Sequence, residues 1–104
     1  MKILIADDHA MVRDGLKQLL TKLTIDLHID EVSNGVNAIK LIKNNDYDFV
    51  ILDISLPDIS GLDILKRLKE HNNPTKVLIL SMHPEEQFAV RALKLGAMGY
   101  ITKD

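Results

Sequence analysis

A chain of 104 residues, 46% hydrophobic and 27% charged, has material for one core, which leaves no room for a large catalytic framework or a second module. With 13 basic residues against 15 acidic ones, the net charge of -2 gives this segment no electrostatic hold on a nucleic-acid backbone. The absence of cysteine removes disulfides, thiol catalysis and cysteine-held zinc or iron-sulfur centres.

Lys2 to Ala6 is a short apolar run and reads as a strand. Two aspartates interrupt it too early for a secretory leader, and no later run approaches the roughly 20 residues of a membrane span, so a cytoplasmic protein without membrane contact is expected. Val12, Leu16, Leu19, Leu20 and Leu23 then recur at helical spacing. Leu27 to Val32 is a second strand, and Val36, Ile39, Leu41 and Ile42 lie in a helix bounded by Asn34-Gly35 and Asn44-Asn45. Phe49 to Leu52 lacks alternation, as a parallel strand covered on both faces should. Leu62, Ile64, Leu65 and Leu68 form a third helix, and Val77 to Leu80 a fourth strand. Pro84 opens a helix carrying Phe88, Val90, Ala92, Leu93 and Leu95, which Gly96 stops before a last strand at Ala97 to Ile101. Strand and helix alternate four times before the final strand, which predicts an α/β fold with an open, doubly wound parallel sheet. Four helices cover two faces of five strands unevenly, and a fifth helix would complete the layering.

Ligands of such sheets gather beyond the carboxyl ends of the strands. Asp7 and Asp8 follow strand one, Asp53 closes strand three, Ser81 follows strand four and Lys103 follows strand five. A single aspartate at a strand end is ordinarily a turn or helix cap. Three acids, a hydroxyl and an amine at one edge point further, because clustered carboxylates repel and a hard divalent cation, Mg2+ first, relieves that repulsion. Asp53 can then act as a nucleophile toward phosphorus, with Lys103 balancing the charge and Ser81 bonding to the transferred group.

The set Asp7-Asp8-His9, Asp53-x-x-x-Pro57-x-x-x-Gly61, Leu80-Ser81 and Tyr100-x-x-Lys103 resembles the receiver domain of bacterial two-component response regulators across essentially the whole chain. Asp8 to Leu16 and the pair Lys103-Asp104 resemble the NarL/LuxR-like transcriptional subgroup. The resemblance implies a flavodoxin-like receiver fold with strand order 2-1-3-4-5 over residues 1–104, lacking the fifth helix and any output domain. It implies that Asp53 is the phosphoacceptor and that Asp8, Asp53 and the backbone carbonyl of Ser55 hold Mg2+, or Mn2+ in its place, with Asp7 supporting the ion directly or through water. Ser81 and Lys103 contact the phosphoryl group, and Ser81 with Tyr100 forms the switch. The implied function is a phosphorylation-activated signalling switch, which catalyses its own phosphorylation and dephosphorylation without being a turnover enzyme. A sensor histidine kinase is the implied partner, homodimers form through helix one with helix five or helix four with strand five, and DNA is bound by an output domain of a longer parent.

Other residues admit structural readings. Pro57 and Gly61 shape the loop after the acceptor with or without phosphate. Asp58 and Ser60 lie in that loop, where at least one caps the helix starting near Gly61. His83 and Ser55 flank the pocket, Tyr100 is ordinarily a packing residue, and among His9, His28, His71 and His83 only His9 and His83 fall near the active edge. Arg13, Arg67 and Arg91 are scattered among helices as solvated or ion-paired side chains. The alternative function is a receiver-like interaction module that is never phosphorylated. A flavin-binding or hydrolytic domain of related topology lacks its glycine-rich signature here.

Overall fold

Successive side chains of a strand point to opposite sheet faces, so an unbroken apolar strand demands cover on both. The computed structural model, which describes residues 1–23, 26–81 and 86–102, meets that demand unequally. Strands β1 (Lys2–Ala6), β2 (His28–Val32), β3 (Phe49–Asp53), β4 (Val77–Ser81) and β5 (Gly99–Thr102) alternate with helices α1 (Ala10–Leu23), α2 (Gly35–Asn44), α3 (Gly61–Glu70) and α4 (Glu86–Lys94). All strand pairs are parallel, in the order β2-β1-β3-β4-β5. This is the sheet order implied by the resemblance, with four helices and no fifth among the described residues. The expected helix opening at Pro84 lies outside the described residues.

Leu4, Ala6, Val50, Leu52, Val77 and Ile79 face the layer of α2, α3 and α4, where Ala38, Ile42, Ile64, Leu65 and Ala92 complete the larger core. Ile3, Ile5, Ile51 and Leu80 face the other way, toward Val12, Leu16 and Leu20 of α1. No residue of α1 is fully buried. Leu19 and Leu23, which belong to its apolar stripe, are 60% and 80% exposed, because one helix cannot cover a face five strands wide. Beside it an open apolar groove of about 290 Å3 runs along Ile3, Leu20, Phe49, Ile51 and Leu78, toward the amino ends of the strands. Val36, Val90 and Leu93 are likewise exposed, so the buried stripes of α2 and α4 are narrower than the periodicity suggests.

Local chemistry sets the ends of the elements. Gly96 (φ 99°) closes α4 as expected: its N–H reaches Leu93 O and that of Ala97 reaches Ala92 O. Asn72 (φ 53°) closes α3 by the same pattern, with Asn72 N–H on Lys69 O and Asn73 N–H on Leu68 O. Tyr47, buried, donates its hydroxyl to Asp30 at 2.6 Å and ties edge strand β2 to the body of the sheet. That bond holds the Asp30 carboxyl below its ordinary range, while burial and the bond together push the phenol well above its own.

The two kinds of apolar position separate in a stability measurement. Ile79→Ala, at a fully buried position, is expected to cost about 2–5 kcal/mol by urea denaturation. Leu23→Ala is expected to stay within about 0.5 kcal/mol of the parent, and a large loss there would show that α1 is packed more tightly than described.

Candidate functional site

Parallel register brings the strand ends together. Ala6 pairs with Leu52, so one step further along β1 and β3 stand Asp7 and Asp53. Asp53 pairs with Leu80, which puts Ser81 one step beyond on β4, and Ser81 pairs with Thr102 on β5. Among the described residues, Asp7 (0%), Asp53 (1%) and Ser81 (0%) are the polar side chains buried in the protein, and all three lie at this edge. Burying a polar group is unfavourable unless something meets it, so three at one edge mark a built site rather than chance turns.

Around the acids, His9 donates its backbone N–H to Asp7 Oδ1 at 2.8 Å. Its Nδ1 lies 3.2 Å from that oxygen and 3.1 Å from Asp8 Oδ1. One ligand atom from each of Asp7, Asp8, His9 and Asp53 lies within 4.8 Å of the others, with the two exposed residues on the outer side. Three carboxylates with an imidazole at their rim form a donor set suited to a hard divalent cation. His9 thus stands at the active edge, as its place after Asp8 indicates, with a ring nitrogen among the carboxylates.

Arg13, on the first turn of α1, donates through Nη1 to Asp7 O at 2.6 Å and through Nε to Glu31 at 3.1 Å. Lys17, at 2.9 Å, and then Arg13 hold the Glu31 carboxyl below its ordinary range. The sequence reading of Arg13 as an ion-paired helix residue holds as far as Glu31; its bond to the Asp7 carbonyl was not foreseen. A helical side chain one turn after His9 was the available signal.

The loop after Asp53 is anchored along its length. Ser55 N–H donates to Asp53 Oδ1 at 3.0 Å, and Gly61 N–H donates to Ile54 O at 3.0 Å. A Cβ at Gly61 would stand 2.6 Å from Asp53 O, so only glycine lets α3 start against the backbone of Asp53. Ser60 caps α3, accepting from Leu62 N–H, as expected of one residue of this loop. Asp58 does something else: it accepts from Gly35 N–H at 2.6 Å and Val36 N–H at 3.0 Å, and so caps α2 from 23 residues away. Pro57 and Ser55 are exposed on the same loop, and Tyr100 is half-buried against the larger core. Lys103 and His83 lie outside the described residues.

The response regulator receiver domain family matches residues 3–104. The nitrate/nitrite response regulator protein NarL of Escherichia coli (strain K12) is 38% identical over 102 residues, covering 98% of this chain and 47% of its own length. The chain thus spans about half the length of the curated relatives it matches. Response regulator protein TrrA from Thermotoga maritima, solved in complex with Mg2+ and BeF, superposes with a TM-score of 0.84 at 30% identity, over 99% of this chain and 86% of its own. A response regulator from Burkholderia pseudomallei, solved with a phosphorylated aspartic acid, calcium ion and citrate, gives a TM-score of 0.84 at 25% identity, over 98% of this chain and 59% of its own.

The N–H groups of Gly35 and then Val36 hold the Asp58 carboxyl below its ordinary 3.8. A carboxyl depressed in the folded state stabilises above its unfolded pKa and loses that contribution as pH falls through the folded value. The stability margin of wild type over Asp58→Asn, measured by urea midpoints, is therefore expected to be constant near neutrality and to shrink between about pH 5 and pH 3. A margin unchanged at pH 3 would contradict the cap.

Proposed function

The chain belongs to the response regulator receiver domain family, and on that footing we propose that it is a phosphorylation-operated switch with Asp53 as its phosphoacceptor. The observation that carries this reading is the convergence of Asp7, Asp53 and Ser81, all buried, with the exposed Asp8 and His9 at the carboxyl edge of the sheet. Residues 1–104 are the receiver domain, and the output on DNA belongs to a further domain of a longer, NarL-type protein. No helix among the described residues is long and apolar enough to cross a membrane. The protein works in the cytoplasm, and a sensor histidine kinase is its partner.

Asp8, Asp53 and the backbone carbonyl of Ser55 would hold Mg2+, with Asp7 behind them, and the carboxylate-rich donor set fits that ion. Once bound, the ion supplies charge neutralisation between these carboxylates and an incoming phosphoryl oxygen. An Asp53 carboxylate oxygen forms a bond to phosphorus as the phosphorus–nitrogen bond of a phosphohistidine donor breaks. The donor ring, protonated at its other nitrogen before transfer, leaves as neutral imidazole, and the aspartate becomes an acyl phosphate. Ser55 N–H, 3.0 Å from Asp53 Oδ1, orients the attacking carboxylate. Lys103 balances the added charge, and Ser81 bonds to the new group.

The rest is a packing response. Ser81 ends β4 one residue before the segment leading to α4, and Tyr100 is paired with Ile79 on the neighbouring strand. Movement of Ser81 toward the phosphoryl group biases that segment and Tyr100, changing a partner-binding surface that also serves homodimer formation. Pro57, Gly61 and His83 shape the pocket walls, and with them the approach of the water that ends the signal. A domain of this kind turns over its own acyl phosphate rather than a stream of substrate.

Incubation with a phosphorylated histidine kinase and Mg2+ is expected to add one phosphoryl group, located on Asp53 by tandem mass spectrometry. Asp53→Ala or excess EDTA is expected to abolish the adduct. An adduct on Asp53→Ala at the wild-type level would overturn the acceptor, and a wild-type protein that takes none would leave an interaction module in its place.

A further inference from the structure

Asp58 is exposed in the loop that follows Asp53, yet its carboxylate accepts three backbone N–H bonds, two of them from the start of α2. Oδ1 accepts from Gly35 N–H at 2.6 Å and Ile59 N–H at 2.9 Å, and Oδ2 accepts from Val36 N–H at 3.0 Å. Helix α2 has its own cap, since Asn34 Oδ1 accepts from Asn37 N–H at 2.9 Å, so Asp58 is an addition that binds a loop to a helix already terminated. The approach is as close as side chains allow. A Cβ at Gly35 would stand 3.0 Å from Ile59 Cβ and 3.1 Å from Asp58 Oδ1.

The opposite end of the same loop is joined to Asp53. Ser55 N–H holds Asp53 Oδ1, and the Ile54 carbonyl is fixed by Gly61 N–H. Only four residues, Ser55 among them, therefore separate Asp53 from a bond across to α2. Cutting that bond frees the middle of the loop while its ends remain attached. The segment set loose is the one that orients the Asp53 carboxylate.

Resting on the phosphoacceptor reading above, we propose that Asp58 is a positioning residue for the phosphorylation site: by clamping the loop onto α2 it holds Ser55 where its N–H orients Asp53 and its carbonyl completes the cation site. Asp58 touches neither the ion nor the phosphoryl group. It acts through Ser55, and its removal acts first on cation affinity.

Calorimetric titration with Mg2+ alone on wild type, Asp58→Ala, Asp58→Asn and Asn34→Ala separates the clamp from other effects. Asp58→Ala is expected to weaken Mg2+ binding roughly 10-fold, the lower end for groups that support a metal ligand. Asp58→Asn keeps an oxygen acceptor and is expected to lose less than about threefold. Asn34→Ala removes a bond from the same helix end without touching the loop and is expected to bind Mg2+ as wild type does. Equal losses in the two Asp58 variants would assign the effect to the lost negative charge, and an equal loss in Asn34→Ala would assign it to fraying of α2; either overturns the clamp, as does unchanged affinity in Asp58→Ala. Intact mass after incubation with a small acyl phosphate keeps the underlying reading separate. An adduct on wild type and none on Asp53→Ala sustains the acceptor whatever Asp58→Ala does, whereas a wild type that takes neither Mg2+ nor phosphoryl group overturns both.

Discussion

Asp7 and Asp53 end neighbouring parallel strands, and each is as inaccessible as the isoleucines behind it. Two carboxylates side by side and out of water repel each other and lose hydration, a combination that proteins hold only where donors or cations meet them. Much of the nearby structure answers that constraint. The His9 amide bonds to the Asp7 side chain, the Arg13 guanidinium to the Asp7 carbonyl and the Ser55 amide to Asp53. The same constraint explains why a divalent cation suits the site. A divalent ion among these oxygens would offset most of their negative charge.

The acids can be held so firmly because the sheet behind them is well packed on one side. The layer of α2, α3 and α4 buries Leu4, Val50, Leu52 and Ile79 in one continuous core, and two of those helices also secure the loop after Asp53. Gly61 starts α3 against Asp53, while Gly35 starts α2 against Asp58. On the other face α1 packs through partly buried side chains and leaves the groove beside Leu20 open. The acids themselves are in phase with Ile5 and Ile51, on the face that α1 covers, so the tightly packed layer supports the site from behind the sheet. The open groove lies at the other end of the sheet from Asp53, toward the amino ends of the strands.

The strands were legible because each is a short apolar run bounded by polar or turn residues, and parallel pairing followed from the helices between them. The strand-end acids were legible for the same reason: once topology is known, the residue after each strand has a known address. Gly96 announced the end of α4 through its freedom at positive φ, whereas Asn72 does the same work for α3 with a side chain that carries no such plain signal. The stripe of α1 is legible as helical from its spacing, but its burial is not. Periodicity reports which residues share a face, while burial depends on how much neighbouring structure is there to cover it, and Leu19 and Leu23 have too little.

What the sequence determined by itself was the order of elements, the parallel sheet and the set of acids at its carboxyl edge, because these follow from local periodicity and chain connectivity. Only the tertiary structure decided which side chains complete the site. Ser60 and Asp58 stand two residues apart in one loop and have equal standing as caps, yet Ser60 serves the helix that follows it and Asp58 a helix 23 residues back. The Arg13 bond to the Asp7 carbonyl and the place of His9 among the carboxylates are of the same kind. Such contacts depend on the distance between elements after packing, a quantity set by the whole core and encoded at no single position.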